Sequence, residues 1–314
     1  WMAVGYVIFA SGVGAPALLI AACLMTGLAR GGNSNFANTM ISTLPGDKAT
    51  WGYNLLHGCF AVGALLSPLV LVFCTGRWPG FGWRVVAVLL AALCLSQLAV
   101  YAKMPLPQEP QGKSIKTVDR SFLKVKQFWL GSAMLFFYIS VEYAIVGWLV
   151  SYFQDTGVLD PNYAQMMNSL LWLVIFCGRM VGAAITGKVS RNKLLLIDGV
   201  GFFACFLLMF LSRTPGPIVA GLMGVGLFMA TIYPTAFAFG SDCIRGNDLG
   251  CSIMIFTGSA GGIITPFLVG QVAERAGIRA GMGLVAVFTA LLLLSIVLSV
   301  ASVLRASRRE GRTN

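Results

Sequence analysis

Charge is what this chain has least of: Asp, Glu, Lys and Arg make up 11% of its 314 residues, and there is one histidine, His57. Soluble domains carry about a quarter charged residues, so a water-soluble globule of this length is excluded. The eight cysteines stand singly, mostly within apolar runs and without Cys-x-x-Cys spacing. That removes metal-binding and thiol-redox readings and leaves them as small packing residues. No His, Cys or carboxylate cluster, phosphate-cradling loop or acyl-transfer nucleophile motif occurs. An enzyme is therefore the least favoured class, and no metal or cofactor is expected.

What fills the chain instead is apolar sequence, 57% of it hydrophobic, in runs near the 20 or so residues that cross a bilayer. Residues 1–14 form a fragment too short to cross, ahead of a break at Gly12-Val-Gly-Ala-Pro16. Nine spans follow, at approximately 16–42, 51–75, 83–102, 128–153, 163–187, 193–212, 215–240, 248–273 and 279–304, joined by short loops rich in Gly, Pro and Asp. The chain opens on Trp1 without an initiator methionine, and a missing N-terminal portion is the expectation.

The net charge of +11 is read as membrane orientation and not as a nucleic-acid footprint, because the bases sit between the spans. With the C-terminus inside, fifteen of the 22 Lys and Arg are cytoplasmic, among them Lys188, Arg191, Lys193 and Arg305. Five are outside: Arg77, Arg84, Arg213, Arg275 and Arg279. The longest polar stretch, 102–127, carries three prolines and six bases and reads as a cytoplasmic linker. The expected organisation is an incomplete transmembrane half over 1–101, this linker, a six-helix half over 128–304 and a basic tail over 305–314.

An internal repeat supports two related halves. Gly63-Ala-Leu-Leu-Ser-Pro68 and Gly261-Gly-Ile-Ile-Thr-Pro266 share one register at an offset of 198 residues. Paired halves are how many secondary transporters are built, with the solute site between them near the bilayer midplane. A carrier is the first reading.

At this point the residues resemble a known family. Gly31-Gly-Asn-Ser-Asn-Phe-Ala-Asn38-Thr, Asn54-Leu-Leu-His57, Tyr138-x-x-x-Glu142 with Gly147-Trp148, Gly178-Arg179 and Tyr233-Pro234-Thr235 occur in that order. Together they are similar to the major facilitator superfamily, within it to the branch that includes fucose permease. The resemblance implies an all-α integral membrane fold of two six-helix halves, the N-terminal one incomplete here, with the first visible fragment as the third helix. It also implies a monomer in the cell membrane that carries a small solute by alternating access. Two departures stand out. Aligned on Asn38, Ser34 occupies the position where that branch has an acidic residue, and the first span, which supplies another carboxylate there, is absent. Gly187-Lys-Val-Ser-Arg-Asn-Lys193 likewise lacks the acid of the superfamily's inside loop motif.

Residue chemistry nominates the candidates. Glu142 stands midway along its span, where an ionised carboxylate must be paired, protonated or open to a water-filled cavity. It is the first choice for carrying a proton, with a neutral Glu bonded between helices as the alternative. Tyr138 lies four residues earlier on the same helical face. Arg30, Asn33, Ser34 and Asn38 form a polar stripe suited to a polyhydroxylated ligand, or to interhelical hydrogen bonding. His57 could carry a proton near neutral pH or simply satisfy a neighbour. Arg179 is close enough to the inside end of its span to reach that interface or a gate, and a structural role is favoured for it. Trp148 and Tyr233 could stack on a sugar ring, or Trp148 could belong to the outer aromatic belt. Pro234 and Pro266 remove helix hydrogen bonds and bend their spans. Gly27-x-x-x-Gly31, Gly178-x-x-x-Gly182 and Gly258-x-x-x-Gly262 are expected where helices approach closely.

The reading is a proton-coupled uptake carrier for a sugar or similar polar solute, with the proton, the solute and the lipid bilayer as partners and no nucleic acid. A drug-efflux antiporter and a non-transporting nutrient sensor are the alternatives.

Overall fold

The computed structural model describes all residues except Gly46, 104–118, Val158, Asp160, Arg245, Gly246 and 311–314. Most of the expected linker and the end of the basic tail therefore lie outside the described residues. Ten α-helices account for nearly everything else: α1 (Met2–Ser11), α2 (Pro16–Ser42), α3 (Asp47–Arg77), α4 (Gly82–Tyr101), α5 (Lys126–Thr156), α6 (Pro161–Ile185), α7 (Arg191–Leu211), α8 (Pro215–Ser241), α9 (Asp248–Ala276) and α10 (Ile278–Glu310). A single 3-10 turn, Ser121–Lys124, precedes α5.

The helix ends follow local chemistry. Gly12 and Gly157 stop α1 and α5 in the left-handed conformation, which glycine reaches without a Cβ penalty. The Asn247 side chain accepts from the Gly250 N–H to cap α9, and Asp248 occupies the first turn, where a negative charge complements the helix dipole. Eight helices, α3 through α10, contain spans long and apolar enough to cross a membrane. The ninth expected span, α2, carries the polar stretch from Arg30 to Asn38 in its second half.

The chain divides into two compact units. The first, Trp1–Ala37 with Leu65–Asp119, packs α1 against α4. Within it the Arg84 guanidinium lies by Gly12 and over the rings of Phe81 and Trp83, at 5.6 and 5.3 Å.

The second unit, Asn38–Ala64 with Arg120–Asn314, contains α5 to α10 and the first part of α3. In it α5 packs on α8, α9 and α10, while α8 also packs on α6 and α7. The two central helices, α5 and α8, are the most buried of the spans. Lipid tails are as apolar as leucine, so close packing and interhelical bonds must hold such helices together. Small residues supply the closeness. A Cβ on Gly131 would come within 2.8 Å of the Gly240 Cα, and one on Gly178 within 2.6 Å of the Ala230 Cβ. Gly262 is similarly crowded by Ile139 at 2.8 Å, whereas Gly258 makes ordinary contacts. Gly27 and Gly31 face open space, so the third of the small-residue patterns marks no close approach among the described residues.

Candidate functional site

A buried polar cluster forms inside the second unit from four helices. α5 contributes Tyr138 and Glu142, whose four-residue spacing puts them on one face. The Tyr138 hydroxyl donates to Glu142 Oε1 at 3.1 Å. Across from them α6 contributes Arg179, only 2% exposed, with its Nη2 at 3.6 Å from Glu142 Oε1. That separation is an ion pair but lies beyond the 2.7–2.9 Å or so of a charge-assisted hydrogen bond. Glu142 is thus paired without being locked.

Two backbone carbonyls hold the rest of the guanidinium. Nη1 donates to His57 O at 2.6 Å, and Nε to Ala230 O at 3.3 Å. The second acceptor has a cause in the sequence. Pro234 stands four residues after Ala230 inside α8 and has no N–H, so the bond that would normally occupy the Ala230 carbonyl is missing. The proline prepares an acceptor, and Arg179 uses it. Gly178, next to Arg179, admits the close contact with α8 at Ala230.

Aromatic rings close the cluster. The Tyr233 ring meets the His57 ring edge-on with centroids 4.4 Å apart and lies 5.6 Å from the Tyr138 ring. His57 Nε2 is buried and has no hydrogen-bond partner among the described residues. One turn earlier on α3, Asn54 donates to Thr50 O at 2.9 Å while its Oδ1 is a buried acceptor without a described partner. His57, Tyr138, Glu142, Arg179, Tyr233 and Pro234 therefore meet at one place.

The other candidates lie elsewhere. Arg30, Asn33 and Ser34 belong to the first unit, where Arg30 and Asn33 are exposed. Asn38 falls in the second unit, buried, with its carbonyl accepting from the Tyr53 hydroxyl at 3.1 Å. Trp148 ties α5 to α9 by donating from Nε1 to Pro266 O at 3.1 Å. Arg179 does not extend toward the membrane interface, as its depth in the helix suggested; its head group is enclosed by α3, α5 and α8.

Sequence reasoning passed over Asp198. It is 6% exposed on α7, and the Thr231 hydroxyl of α8 donates to its Oδ2. The available signal was the one used for Glu142, an acid inside an apolar run. At the end of the second unit that carries the 186–190 turn, Arg191 pairs with Asp242 at 2.7 Å and donates to Ala238 O at 3.3 Å. The acid missing from the 187–193 loop is thus supplied by the end of α8. A hollow of about 430 Å³ beside this pair is lined by Gln127, Ser190, Asn192, Phe239 and Val303 as well, and none of the Glu142 cluster lines it. Among the described residues no group of His, Cys, Asp and Glu is arranged to hold a metal ion.

Comparison with known proteins then decides the family. The family model of the Major Facilitator Superfamily matches residues 1–250. The chain belongs to the major facilitator superfamily. It is a multi-pass membrane protein of a transporter family, with an all-helical fold and not that of an enzyme. The fold is shared with the fucose:proton symporter FucP of E. coli. Its outward-conformation crystal structure superposes at a TM-score of 0.76 with 19% identity, covering 95% of this chain and 80% of that one. A human organic anion transporter of the superfamily follows at 0.73, with 18% identity over 95% of this chain and 74% of the other. Among sequence relatives, the glucose/galactose transporter of Brucella abortus is 27% identical over 202 residues, 61% of this chain and 47% of that protein. A putative glucose/galactose transporter of Helicobacter pylori is 26% identical over 200 residues, 63% and 47% respectively. The chain spans about half the length of these curated relatives.

Proposed function

We propose that this superfamily member moves a sugar or similar small polar solute inward by alternating access, driven by protons, with Glu142 as the group that carries the proton. The observation that carries the reading is the Glu142–Arg179 pair. A carboxyl buried in a membrane helix, held by a tyrosine hydroxyl and a loosely placed cation at 3.6 Å, can exchange that cation for a proton without rebuilding its surroundings. The likeness to glucose/galactose transporters supports the choice of solute. His57 touches Arg179 through its carbonyl and Tyr233 through its ring, which ties α3 to the position of the guanidinium.

In this reading Asn38, Tyr138, Trp148 and Tyr233 of the second unit offer the solute hydrogen-bonding and stacking partners there, and Arg30, Asn33 and Ser34 are the polar groups offered within the first unit. Pro234, Pro266 and Arg179 belong to the bending and gating parts. The protein works as a monomer in the cell membrane with its C-terminus in the cytoplasm, as the distribution of Lys and Arg favours. One proton moving through 100 mV supplies about 2.3 kcal/mol, enough for a solute gradient of roughly fiftyfold.

The test uses the full-length protein in liposomes with labelled glucose, galactose, fucose and cationic drugs, with and without an inside-alkaline pH gradient. Gradient-stimulated sugar uptake is expected, and Glu142→Gln should abolish accumulation while equal-concentration sugar exchange continues. Normal accumulation by Glu142→Gln would remove Glu142 from the coupling role. Drug movement against the gradient would replace uptake with efflux, and sugar binding without flux would replace transport with sensing.

A further inference from the structure

The buried acid that this mechanism leaves unused is Asp198. It lies seven residues inside α7, about 10 Å from its first residue at 1.5 Å per residue, on the side of the 186–190 turn. Glu142 lies sixteen residues inside α5, about 24 Å from that helix's first residue by the same rise. Asp198 is therefore nearer the end that the charge distribution assigns to the cytoplasm.

Among the described residues no ion pair to Asp198 is formed. Thr231 meets it from α8, and at the adjacent Gly199 α10 presents Leu293 and Ile296. The bases of α7 itself, Arg191 and Lys193, stand in its first turn, and Arg191 is paired with Asp242. Asp198 thus has the Thr231 hydroxyl where Glu142 has the Arg179 guanidinium. An isolated ionised carboxylate in a membrane helix is expensive, and such groups commonly mark proton relays.

Asp198 also has a polar connection toward the cluster. Thr231 directly follows Ala230, whose carbonyl holds Arg179. Gly182, one turn from Arg179 on α6, packs against both Thr231 and Asn54; a Cβ there would lie 3.1 Å from Asn54 Oδ1. That oxygen is the buried acceptor without a described partner, and Asn54 precedes His57 by one turn. The absence of a side chain at Gly182 thus brings an acceptor of α3 and the Thr231 methyl of α8 to the same spot, while the Thr231 hydroxyl turns to Asp198. A threonine hydroxyl can accept and donate at once.

We propose that Asp198 is a second proton-carrying carboxyl, the station through which a proton released at Glu142 leaves toward the 186–190 side, with Thr231 and Asn54 as the polar groups between the two acids. The inference rests on the proton-coupled reading of Glu142. In the step, the Glu142 carboxyl loses its proton and the resulting carboxylate pairs with Arg179. The Asp198 carboxylate takes the proton up, then gives it to water on the loop side. One proton moves and nothing is oxidised or reduced.

The experiment has two arms on the full-length protein. In liposomes, Asp198→Asn should lose gradient-driven sugar accumulation, bringing inside and outside concentrations to equality, while equal-concentration exchange continues. Asp198→Glu should restore accumulation with a displaced pH profile, and Thr231→Val, which removes the hydroxyl that donates to the wild-type Asp198, should shift that profile too. Separately, dicyclohexylcarbodiimide, which modifies protonated carboxyls in apolar surroundings, should label Asp198 in the wild type in a pH-dependent manner, read by peptide mass spectrometry. Accumulation by Asp198→Asn equal to wild type would overturn the proposal. So would a wild-type Asp198 that stays unlabelled at every pH, which decides the matter if the variants do not fold. A wild type without pH-driven uptake would instead overturn the proton-coupled reading, independently of the labelling result.

Discussion

Replacing Arg179 by glutamine removes the cation paired with Glu142 and leaves Glu142, among the described residues, with the Tyr138 hydroxyl. Breaking a buried pair by deleting one partner costs about 3–5 kcal/mol, mostly because the other charge stays behind uncompensated. The two carbonyl bonds, to His57 O at 2.6 Å and Ala230 O at 3.3 Å, add less. Interhelical hydrogen bonds in membrane proteins average about 0.6 kcal/mol and reach about 1.7. The accounting separates cleanly. Arg179→Gln should lose about 3–5 kcal/mol, and the double variant Arg179→Gln with Glu142→Gln should recover the larger part, retaining a deficit of about 1–2 kcal/mol from the carbonyl bonds. Unfolding of the purified proteins in mixed detergent micelles, followed by far-ultraviolet circular dichroism, measures the difference. A double variant no more stable than Arg179→Gln alone would refute the idea that Arg179 chiefly compensates Glu142.

Two further substitutions probe how the cluster is built. Gly261→Ala would drive a methyl against the Phe136 carbonyl and to 2.5 Å from Ser140 Oγ, so α5 and α9 must separate at a cost of about 1–3 kcal/mol. Gly258→Ala, with Ile139 and Leu135 at 3.4 and 3.7 Å, should stay within about 0.5 kcal/mol of wild type, and equal losses in unfolding experiments would contradict the packing described. Pro234→Ala restores an N–H to compete with Arg179 for the Ala230 carbonyl. The helix should gain stability, up to about 3 kcal/mol on the scale of an interior proline, while gradient-driven sugar accumulation falls; unchanged accumulation would mean the freed carbonyl has no part in coupling.

Much of this was legible before any coordinates. The spans could be placed to within a few residues because an apolar run bounded by Gly, Pro and Asp has few other ways to be folded in a membrane. That Tyr138 and Glu142 share a face followed from helical periodicity alone. What periodicity cannot carry is contact between helices distant in sequence. For Arg179 the sequence favours a structural role, with reach toward the interface or a gate as the other option, but depth along a helix says nothing of which neighbour stands beside it; α3 and α8 supply two carbonyls there. The same limit hid the pairing of Arg191 with Asp242, read from the loop alone as a motif without its acid. Pro234 was visible as a bend, but its consequence depended on Arg179 lying opposite Ala230. The stripe from Arg30 to Asn38 divides between the two compact units, which helical spacing could not anticipate, since one continuous helix carries it.

These contacts bear on how one proton could operate a carrier. An ion pair whose rupture cost about 5 kcal/mol could not be switched by a proton worth about 2.3 kcal/mol at 100 mV; the charge left behind must find other compensation. Arg179 already has it. With Glu142 neutralised, its guanidinium keeps the His57 and Ala230 carbonyls, and the second of these is free only because position 234 is proline. Glu142 in its neutral form keeps the Tyr138 oxygen as a hydrogen-bonding partner, since a hydroxyl accepts as readily as it donates. Both partners of the pair thus retain polar company when the charge between them is cancelled, which lowers the cost of cancelling it toward the range a single proton supplies. His57 is coupled to the same event by geometry, because its carbonyl holds Arg179 and its ring rests on Tyr233. A shift of the guanidinium when its carboxylate is lost therefore pulls on α3 and α8 together, through the His57 and Ala230 carbonyls.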